Sequence, residues 1–351
     1  MSGAGSGRAS AVREALRAVT HGGRLSREQS RTVFEAILSG EEPMPVVAGL
    51  LSALAALGES PEELAGVVDV LAGRVTPPPI PPALAARAID VCGTGGDGLG
   101  TFNVSTVTAF VVAGAGVPVA KHGGRAVSSS SGSADVLAAL GVKIEMAPET
   151  AARALREAGI TFLFAPVYHG VMKLIAPLRK ELGVRTIFNL AGPLANPAGV
   201  KYQLVGVDRP ARIPVVAGTL ALRGVTRAFV VSNEAGGDEL LPIGETIVTE
   251  LRGSEVRSFR LRAADFGLRE RPVADLAGGD AEVNGEILRT LLSGGEGAGR
   301  ETVLMNAAAA LVVAGAAETF PEGVALAAAS IDTGSAKRAL DSLVAISRGG
   351  G

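Results

Sequence analysis

Residues 91–135 read VCGTGGDGLGTFNVSTVTAFVVAGAGVPVAKHGGRAVSSSSGSAD, and this stretch decides the fold. It predicts a strand, a glycine turn, a polar run, a helix, a second strand and a basic Gly/Ser-rich loop, at 88–92, 93–98, 101–106, 107–115, 117–120 and 121–133. Short apolar strands that alternate with helices are typical of an α/β domain with a parallel sheet.

Both loops in this stretch have chemistry that suits an anion. Glycine lets the backbone approach a ligand closely, and successive N–H groups form an anion-binding nest at a helix N-terminus. The second loop adds the cations Lys121 and Arg125. Two such loops at the ends of neighbouring strands predict a site for a ligand with more than one phosphate.

The spacing of Gly93, Gly95 and Gly98 also matches the G-x-G-x-x-G pattern of dinucleotide-binding domains. That fold needs a helix directly after the third glycine and an acidic residue about 20 positions further on. Here residues 99–106 intervene, and the expected acidic position falls in an apolar strand that ends at Lys121. We therefore disfavour a dinucleotide site.

Composition sets further bounds on the fold and the function. The chain has 351 residues, with 47% hydrophobic but only 3% aromatic side chains, which predicts one large or two medium domains with an Ala/Val/Leu core. A net charge of −2 gives no electrostatic footprint for nucleic acid or an anionic membrane. The single cysteine, Cys92, excludes an intrachain disulfide. The longest apolar run, near 307–317, is shorter than the roughly 18 residues of a membrane span, so we expect a cytoplasmic protein.

The chain before the glycine turn predicts a small helical domain. Residues 1–10 are expected to be disordered, and 11–75 predict three or four short amphipathic helices. Ser26 and Ser60 each begin a capping box. The helices' apolar faces suit either a subunit interface or internal packing, and the sequence leaves both open. The proline-rich segment 76–87 predicts a stiff hinge.

The remaining chain predicts a larger α/β domain, over 88–169 and 191–351, with a mostly parallel central sheet. Further strands are expected at 143–146, 162–164, 203–207, 227–231 and 247–250. Residues 170–183 predict a helix.

Five ordered segments give a specific resemblance. GTGGDG, TFNVST, KHGGRAVSSSSGSADVLAALG, the segment 162–199 and GGDELLPIGET resemble the characteristic loops of the anthranilate phosphoribosyltransferase family. The resemblance implies a fold of the nucleoside-phosphorylase/phosphoribosyltransferase type, in which residues near 170–190 join the helical domain. It also implies a magnesium-dependent homodimer, formed through the helical domain, that acts in tryptophan biosynthesis.

The implied reaction transfers the phosphoribosyl group of 5-phosphoribosyl pyrophosphate to anthranilate, giving N-(5-phosphoribosyl)anthranilate and pyrophosphate. By resemblance, the phosphoribosyl pyrophosphate site comprises Gly93, Gly96, Asp97, Thr101, Asn103, Val104, Ser105, Thr106, Lys121, His122, Gly123, Gly124, Arg125, Ala126, Val127, Ser128, Ser129 and Ser133. The implied acceptor site comprises Gly93, Gly124, His122, His169, Arg179 and Pro193. The implied magnesium ligands are Ser105, Asp238 and Glu239.

These residue types suit the implied chemistry. Adjacent carboxylates are hard oxygen donors for magnesium, and a guanidinium matches a carboxylate bidentately. Loss of pyrophosphate leaves positive charge on the ribose, so catalysis rests on positioning and charge stabilisation, to which Lys121 and Asp97 are expected to contribute. We find no catalytic triad in the sequence.

Several departures from the family pattern fall near the acceptor. Gly124 stands where the family has asparagine, Gly170 where it has proline, and Ala191 where it has leucine. Three alternatives stay open, and the departures motivate only the first of them. One is a relative that uses another aromatic amine or heterocycle, the second is a nucleoside phosphorylase, and the third is a non-catalytic relative that binds nucleic acid.

Overall fold

A computed structural model of the protein describes residues 10–126 and 130–350. Residues 1–9 of the predicted disordered start, together with Val127, Ser128 and Ser129 of the basic loop, lie outside the described residues. Ser10 caps the first helix, where its side chain accepts a hydrogen bond from the backbone N–H of Arg13.

Four helices form the N-terminal bundle: Ala11–Thr20 (α1), Arg27–Ile37 (α2), Met44–Leu57 (α3) and Pro61–Gly73 (α4). Both predicted capping boxes are confirmed, because Ser26 and Ser60 each accept a hydrogen bond from the third helical residue, whose side chain bonds back to the cap. The third helix ends at Gly58, which has a φ of 78°.

Seven strands form one sheet over the described residues. They are Ile89–Gly93 (β1), Val119–Gly123 (β2), Ile160–Phe164 (β3), Tyr202–Gly206 (β4), Arg227–Asn233 (β5), Thr246–Arg252 (β6) and Glu255–Leu261 (β7). The order is β3-β2-β1-β4-β5-β6-β7. The first five strands pair in parallel, and β6 and β7 continue the sheet antiparallel. The predicted helical bundle and mostly parallel sheet are therefore confirmed.

Helices cover both faces of the sheet. A short helix, Pro82–Ala85 (α5), precedes β1. The helices that follow β1 are Val104–Gly114 (α6), Ser133–Ala139 (α7), Pro148–Ala158 (α8), Ala165–Tyr168 (α9), Ala176–Leu182 (α10), Ile187–Leu194 (α11), Ile213–Leu222 (α12), Ala281–Leu292 (α13), Ala298–Val313 (α14), Phe320–Asp332 (α15) and Ser335–Ser347 (α16). Alternate strand residues enter different cores, so Leu204 packs with α6 and α14, while Val205 packs with α12 and the bundle.

One predicted strand was wrong, and one observed strand was not predicted. Residues 143–146 form no strand, and instead Ile144 and Met146 fill the apolar core from a loop. The edge strand β7 was missed because most of its side chains are exposed, so its sequence shows no apolar face. The predicted helix over 170–183 is divided into a 3₁₀ turn, Gly170–Leu174, and α10.

Helices α10 and α11 both contact the N-terminal bundle, and α11 also contacts the sheet. Ile175, Ile187 and Phe188 share an apolar cluster with bundle residues, and the Phe188 ring meets that of Phe34 edge-on, with centroids 5.5 Å apart. The domain boundaries themselves stay a prediction. Among the described residues, no helix is long and apolar enough to cross a membrane.

Candidate active site

The strand order reverses direction at β1, which pairs with β2 on one side and β4 on the other. In parallel α/β sheets a ligand crevice forms outside the carboxyl ends of the strands at such a point. A cavity of about 620 Å³ lies there. Of the residues predicted for the site, it is lined by Gly93, Gly96, Asp97, Thr101, Asn103, Ser105, Lys121, His122, Gly123, Gly124, Arg125, Ala126, Ser133, His169, Arg179, Pro193, Asp238 and Glu239.

Two other predicted residues lie behind this wall. Val104 is fully buried in the apolar core, and Thr106 is fully buried with its hydroxyl donating to Ser133 Oγ at 3.1 Å. Their side chains therefore support α6 from within and do not line the cavity.

The glycine turn after β1 is held against the acidic segment after β5. The Gly95 N–H donates to Asp238 Oδ2 at 2.6 Å, and the Thr94 N–H donates to the Gly206 carbonyl at 2.9 Å. A Cβ atom added at Gly93 would lie 2.4 Å from Asp238 Oδ2. Glycine at position 93 is thus required by the close approach of this carboxylate.

Asp238 and Glu239 form an acidic centre at the floor of the cavity. Burial, and then the charge of Asp97, raise the pKa of Asp238 to about 6. Burial, followed by the charges of Asp238 and Asp97, raises the pKa of Glu239 well above its usual range. One Glu239 oxygen accepts from the Ser105 N–H at 3.2 Å. Carboxylates so placed favour a bound cation, which would restore their charged forms.

The donor set fits magnesium in particular. Among residues 10–126 and 130–350 there is no group of three or more His, Cys, Asp or Glu side chains placed to hold a metal. Magnesium commonly keeps several waters and binds through one or two carboxylates plus substrate phosphates. Two carboxylates beside loops suited to phosphate match this mode of magnesium binding better than they match a site in which the protein supplies all the ligands.

Lys121 is the buried cation of the site. Its Nζ donates to the Val91 carbonyl at 2.7 Å and to Ser105 Oγ at 3.2 Å. Burial lowers its pKa, while Asp90, behind it, favours the charged form. The amine is therefore held rigidly next to the Ser105 hydroxyl, at the cavity wall.

The basic loop is closed by an ion pair. Arg125, predicted to meet phosphate, pairs with Asp135 at 2.6 Å, and its side chain is largely exposed. The other Asp135 oxygen accepts from the N–H groups of Ala126 and Gly132, which fixes both ends of the loop described here. Arg125 and Asp135 thus connect the described parts of the loop that lie on either side of residues 127–129.

Two buried histidines, His122 and His169, also line the cavity, with ring centroids 5.1 Å apart. His169 Nε2 lies 2.9 Å from the Ala195 carbonyl, so it must carry the proton, and Nδ1 is left as an acceptor. His169 Nδ1 and His122 Nε2 are both buried, with no partner among the described residues. Burial, then the neighbouring His169, lower the pKa of His122 to about 3. Each of the two neutral rings therefore has one nitrogen, His122 Nε2 or His169 Nδ1, that makes no hydrogen bond to the described residues.

Arg179 and Phe188 flank the histidines. The Arg179 guanidinium carbon lies 5.8 Å from the Phe188 ring centroid, and burial lowers the Arg179 pKa. Gly124 leaves open space, because a Cβ added there would meet no atom of residues 10–126 and 130–350 within 4 Å. The departures at Gly170 and Ala191 lie elsewhere, since the first is exposed and the second is buried in the core.

Sequence reasoning missed several residues of this wall. The cavity is also lined by Thr94, Gly95, Lys173, Arg185, Phe188 and Asn189. Arg185 is the most prominent, because it donates to two carbonyls of the glycine turn. The available signal was a second arginine six positions after Arg179 in the same family-like segment.

Comparisons with known proteins agree with this geometry. Family profiles described as "Glycosyl transferase family, a/b domain" and "Glycosyl transferase family, helical bundle domain" match residues 85–337 and 13–74. An anthranilate phosphoribosyltransferase of Anaeromyxobacter sp. is 50% identical over 93% of this chain and 96% of its own length. One of Xanthobacter autotrophicus is 48% identical over 94% of each chain.

Solved structures give the same answer. The anthranilate phosphoribosyltransferase of Thermus thermophilus has a TM-score of 0.90 and 40% identity, and the match covers 97% of this chain and 100% of that one. The Saccharomyces cerevisiae enzyme, in complex with phosphoribosyl pyrophosphate and Mg, has a TM-score of 0.87 and 28% identity, with 97% and 99% covered. With both its domains and its cleft accounted for, the chain belongs to the anthranilate phosphoribosyltransferase family of glycosyltransferases.

Proposed function

We propose that this protein transfers the phosphoribosyl group of 5-phosphoribosyl pyrophosphate to anthranilate. The observation that carries the proposal is one cleft lined by two chemically different groups of residues. One group is the glycine turn, the basic loop and the acidic pair, and the other is Arg179 with two buried histidines. The similar enzymes from Anaeromyxobacter and Xanthobacter carry the name of this activity.

At the phosphoribosyl end, the backbone N–H groups of the glycine turn and the Lys121 ammonium would neutralise phosphate oxygens. Asp238, Glu239 and the Ser105 hydroxyl would hold magnesium. When bound, magnesium would offset the negative charge that develops on the leaving pyrophosphate. The protein's own share is to keep the anomeric carbon facing the acceptor end.

At the acceptor end, the Arg179 fork would bind the anthranilate carboxylate. The Phe188 ring beside it offers an apolar surface to the aromatic ring. His122 Nε2 and His169 Nδ1 would accept hydrogen bonds from the amine, which leaves its lone pair free to attack the anomeric carbon. Because His122 is a weak base, with a pKa of about 3, it orients the amine and does not keep its proton. As the C–N bond forms and the bond to pyrophosphate breaks, that proton would pass to the departing pyrophosphate or to water.

The test is direct. Anthranilate fluorescence should fall when the protein, phosphoribosyl pyrophosphate and Mg²⁺ are mixed, with one pyrophosphate released for each anthranilate consumed. Leaving out Mg²⁺ or the sugar phosphate provides the controls. Stable fluorescence with no pyrophosphate release in the complete mixture would contradict the proposal.

A second acceptor is favoured by one observation, the open space at Gly124. We propose that this space admits ring-substituted anthranilates or other aromatic amines. Rates with a panel of such acceptors, for the natural protein and for Gly124→Asn, test this. Equal selectivity in the two proteins would exclude a role for the missing side chain.

Two further expectations stay predictions. A homodimer formed through the helical bundle would appear as twice the chain mass in sedimentation. A cytoplasmic location would appear in the soluble fraction of lysed cells.

A further inference from the structure

Arg185 lies in the short connection between α10 and α11, the part of the chain that packs on the helical bundle. Its two terminal nitrogens cross the cleft to the glycine turn. Nη2 donates to the Thr94 carbonyl at 3.0 Å and Nη1 to the Gly95 carbonyl at 2.5 Å. One side chain therefore joins the bundle side of the molecule to the turn that follows β1.

The Gly95 peptide is held from both directions. Its carbonyl accepts from Arg185, while its N–H donates to Asp238 Oδ2 at 2.6 Å. Gly95 and Gly96 both have positive φ, 63° and 74°, which glycine adopts without strain, so the turn can take several shapes unless outside contacts support one of them. Asp238 and Arg185 supply that support.

The space around the turn is closed by the same guanidinium. A Cβ at Gly96 would lie 1.8 Å from Arg185 Nη1, so glycine is needed there for the arginine to reach its carbonyls. Burial lowers the Arg185 pKa, and the charges of Asp208 and Asp238 favour its charged form. Arg185 thus places positive charge near the acidic centre without contacting it in an ion pair.

We infer that Arg185 is a positioning residue. It holds residues 94–96 in the conformation that receives the pyrophosphate and its cation. It also fixes this turn relative to helices α10 and α11, which line the proposed acceptor site. Both terminal nitrogens already donate to protein carbonyls, and Nε is buried with no partner among the described residues, so we assign the side chain to the turn and not to the acceptor carboxylate. The inference rests on the proposed function for the identity of the two substrates.

The experiment compares Arg185→Gln and Arg185→Lys with Arg87→Gln, a matched change at an exposed arginine. Calorimetry measures the Kd of phosphoribosyl pyrophosphate with Mg²⁺, and steady-state rates give kcat and both KM values. For Arg185→Gln we expect the Kd to rise about tenfold or more, the size of a lost charge-assisted hydrogen bond. kcat should fall with it, while the KM for anthranilate changes little.

Arg185→Lys should recover part of the affinity, because an ammonium reaches one carbonyl but not two. Urea unfolding of each variant separates positioning from folding, and the lysine variant keeps the test decisive if the glutamine variant does not fold. An unchanged Kd and kcat in a folded variant, or an effect confined to the KM for anthranilate, would overturn the inference. If the natural protein fails to consume anthranilate but its affinity for the sugar phosphate depends on Arg185, the proposed acceptor is wrong and the positioning role stands.

Discussion

The buried histidine His122 should make the protein's stability depend on pH in a way that one substitution removes. Only 5% of His122 is exposed, and its Nε2 atom has no partner among the residues described. Burial, then the nearby His169 ring, lower its pKa to about 3, and the Lys121 charge acts in the same direction.

The magnitude follows from proton linkage. The folded pKa lies below the unfolded value of 6.5, so the unfolded chain binds the proton first as pH falls. Stability from the neutral ring is complete above pH 6.5 and is lost progressively from there down towards about pH 3. Between pH 7.5 and pH 5, His122 should cost the protein about 2 kcal/mol, at about 1.4 kcal/mol per pH unit below the unfolded pKa.

Urea unfolding at pH 7.5, 6 and 5 measures this loss. The natural protein should lose about 2 kcal/mol more than His122→Gln over this interval, because other groups titrate alike in both. His21→Gln, at an exposed histidine, is the matched control and should follow the natural protein. Parallel pH curves for the natural protein and His122→Gln would show that folding does not lower the pKa of the ring, and the argument that burial keeps it neutral at pH 5 would fail.

Three further changes probe the cleft. Asp238→Ala should lower Mg²⁺-dependent turnover by about a hundredfold or more, because it removes a buried carboxylate from the cation site. Calorimetry with Mg²⁺ and the sugar phosphate should show loss of binding, and retained binding would exclude the metal role. Arg179→Gln should raise the KM for anthranilate about tenfold to a hundredfold with little change in the KM for the sugar phosphate, as expected for losing a bidentate charged contact; the reverse pattern in initial-rate kinetics would contradict its placement. Gly93→Ala should weaken the sugar phosphate site by displacing Asp238, with a loss of about 1–3 kcal/mol of stability in urea unfolding, and equal affinity and stability would refute the steric argument.

Local signals in the sequence were sufficient for much of the fold. Ser26 and Ser60 begin helices because their hydroxyls satisfy backbone donors three residues on, a rule that needs no tertiary context. Strand β1 and its glycine turn were likewise predicted from the local sequence. The segment 143–146 was not, because its alternating apolar residues serve a buried loop, and periodicity alone does not separate that from a strand.

The candidate site was predictable in its residue types but not in its contacts. Asp238 and Lys121 were recognised by resemblance. Arg185 was missed, because a single arginine in the loop between two helices belongs to no recognisable sequence pattern. Its role appears only where its guanidinium reaches the Thr94 and Gly95 carbonyls, 91 and 90 residues away along the chain. No rule based on neighbouring residues predicts a contact between residues so far apart in the sequence.

The sheet topology explains why these distant parts meet. β1 lies between β2 and β4, so the glycine turn, the basic loop and the segment after β5 all open at one edge of the sheet. The Gly95 N–H thereby meets an Asp238 oxygen 143 residues later in the chain. Arg185, in the loop between α10 and α11, then donates a hydrogen bond to the carbonyl of Gly95. A turn held by a carboxylate on one side and a guanidinium on the other keeps its shape before any ligand arrives, and electrostatic stabilisation of a leaving pyrophosphate requires that preorganisation.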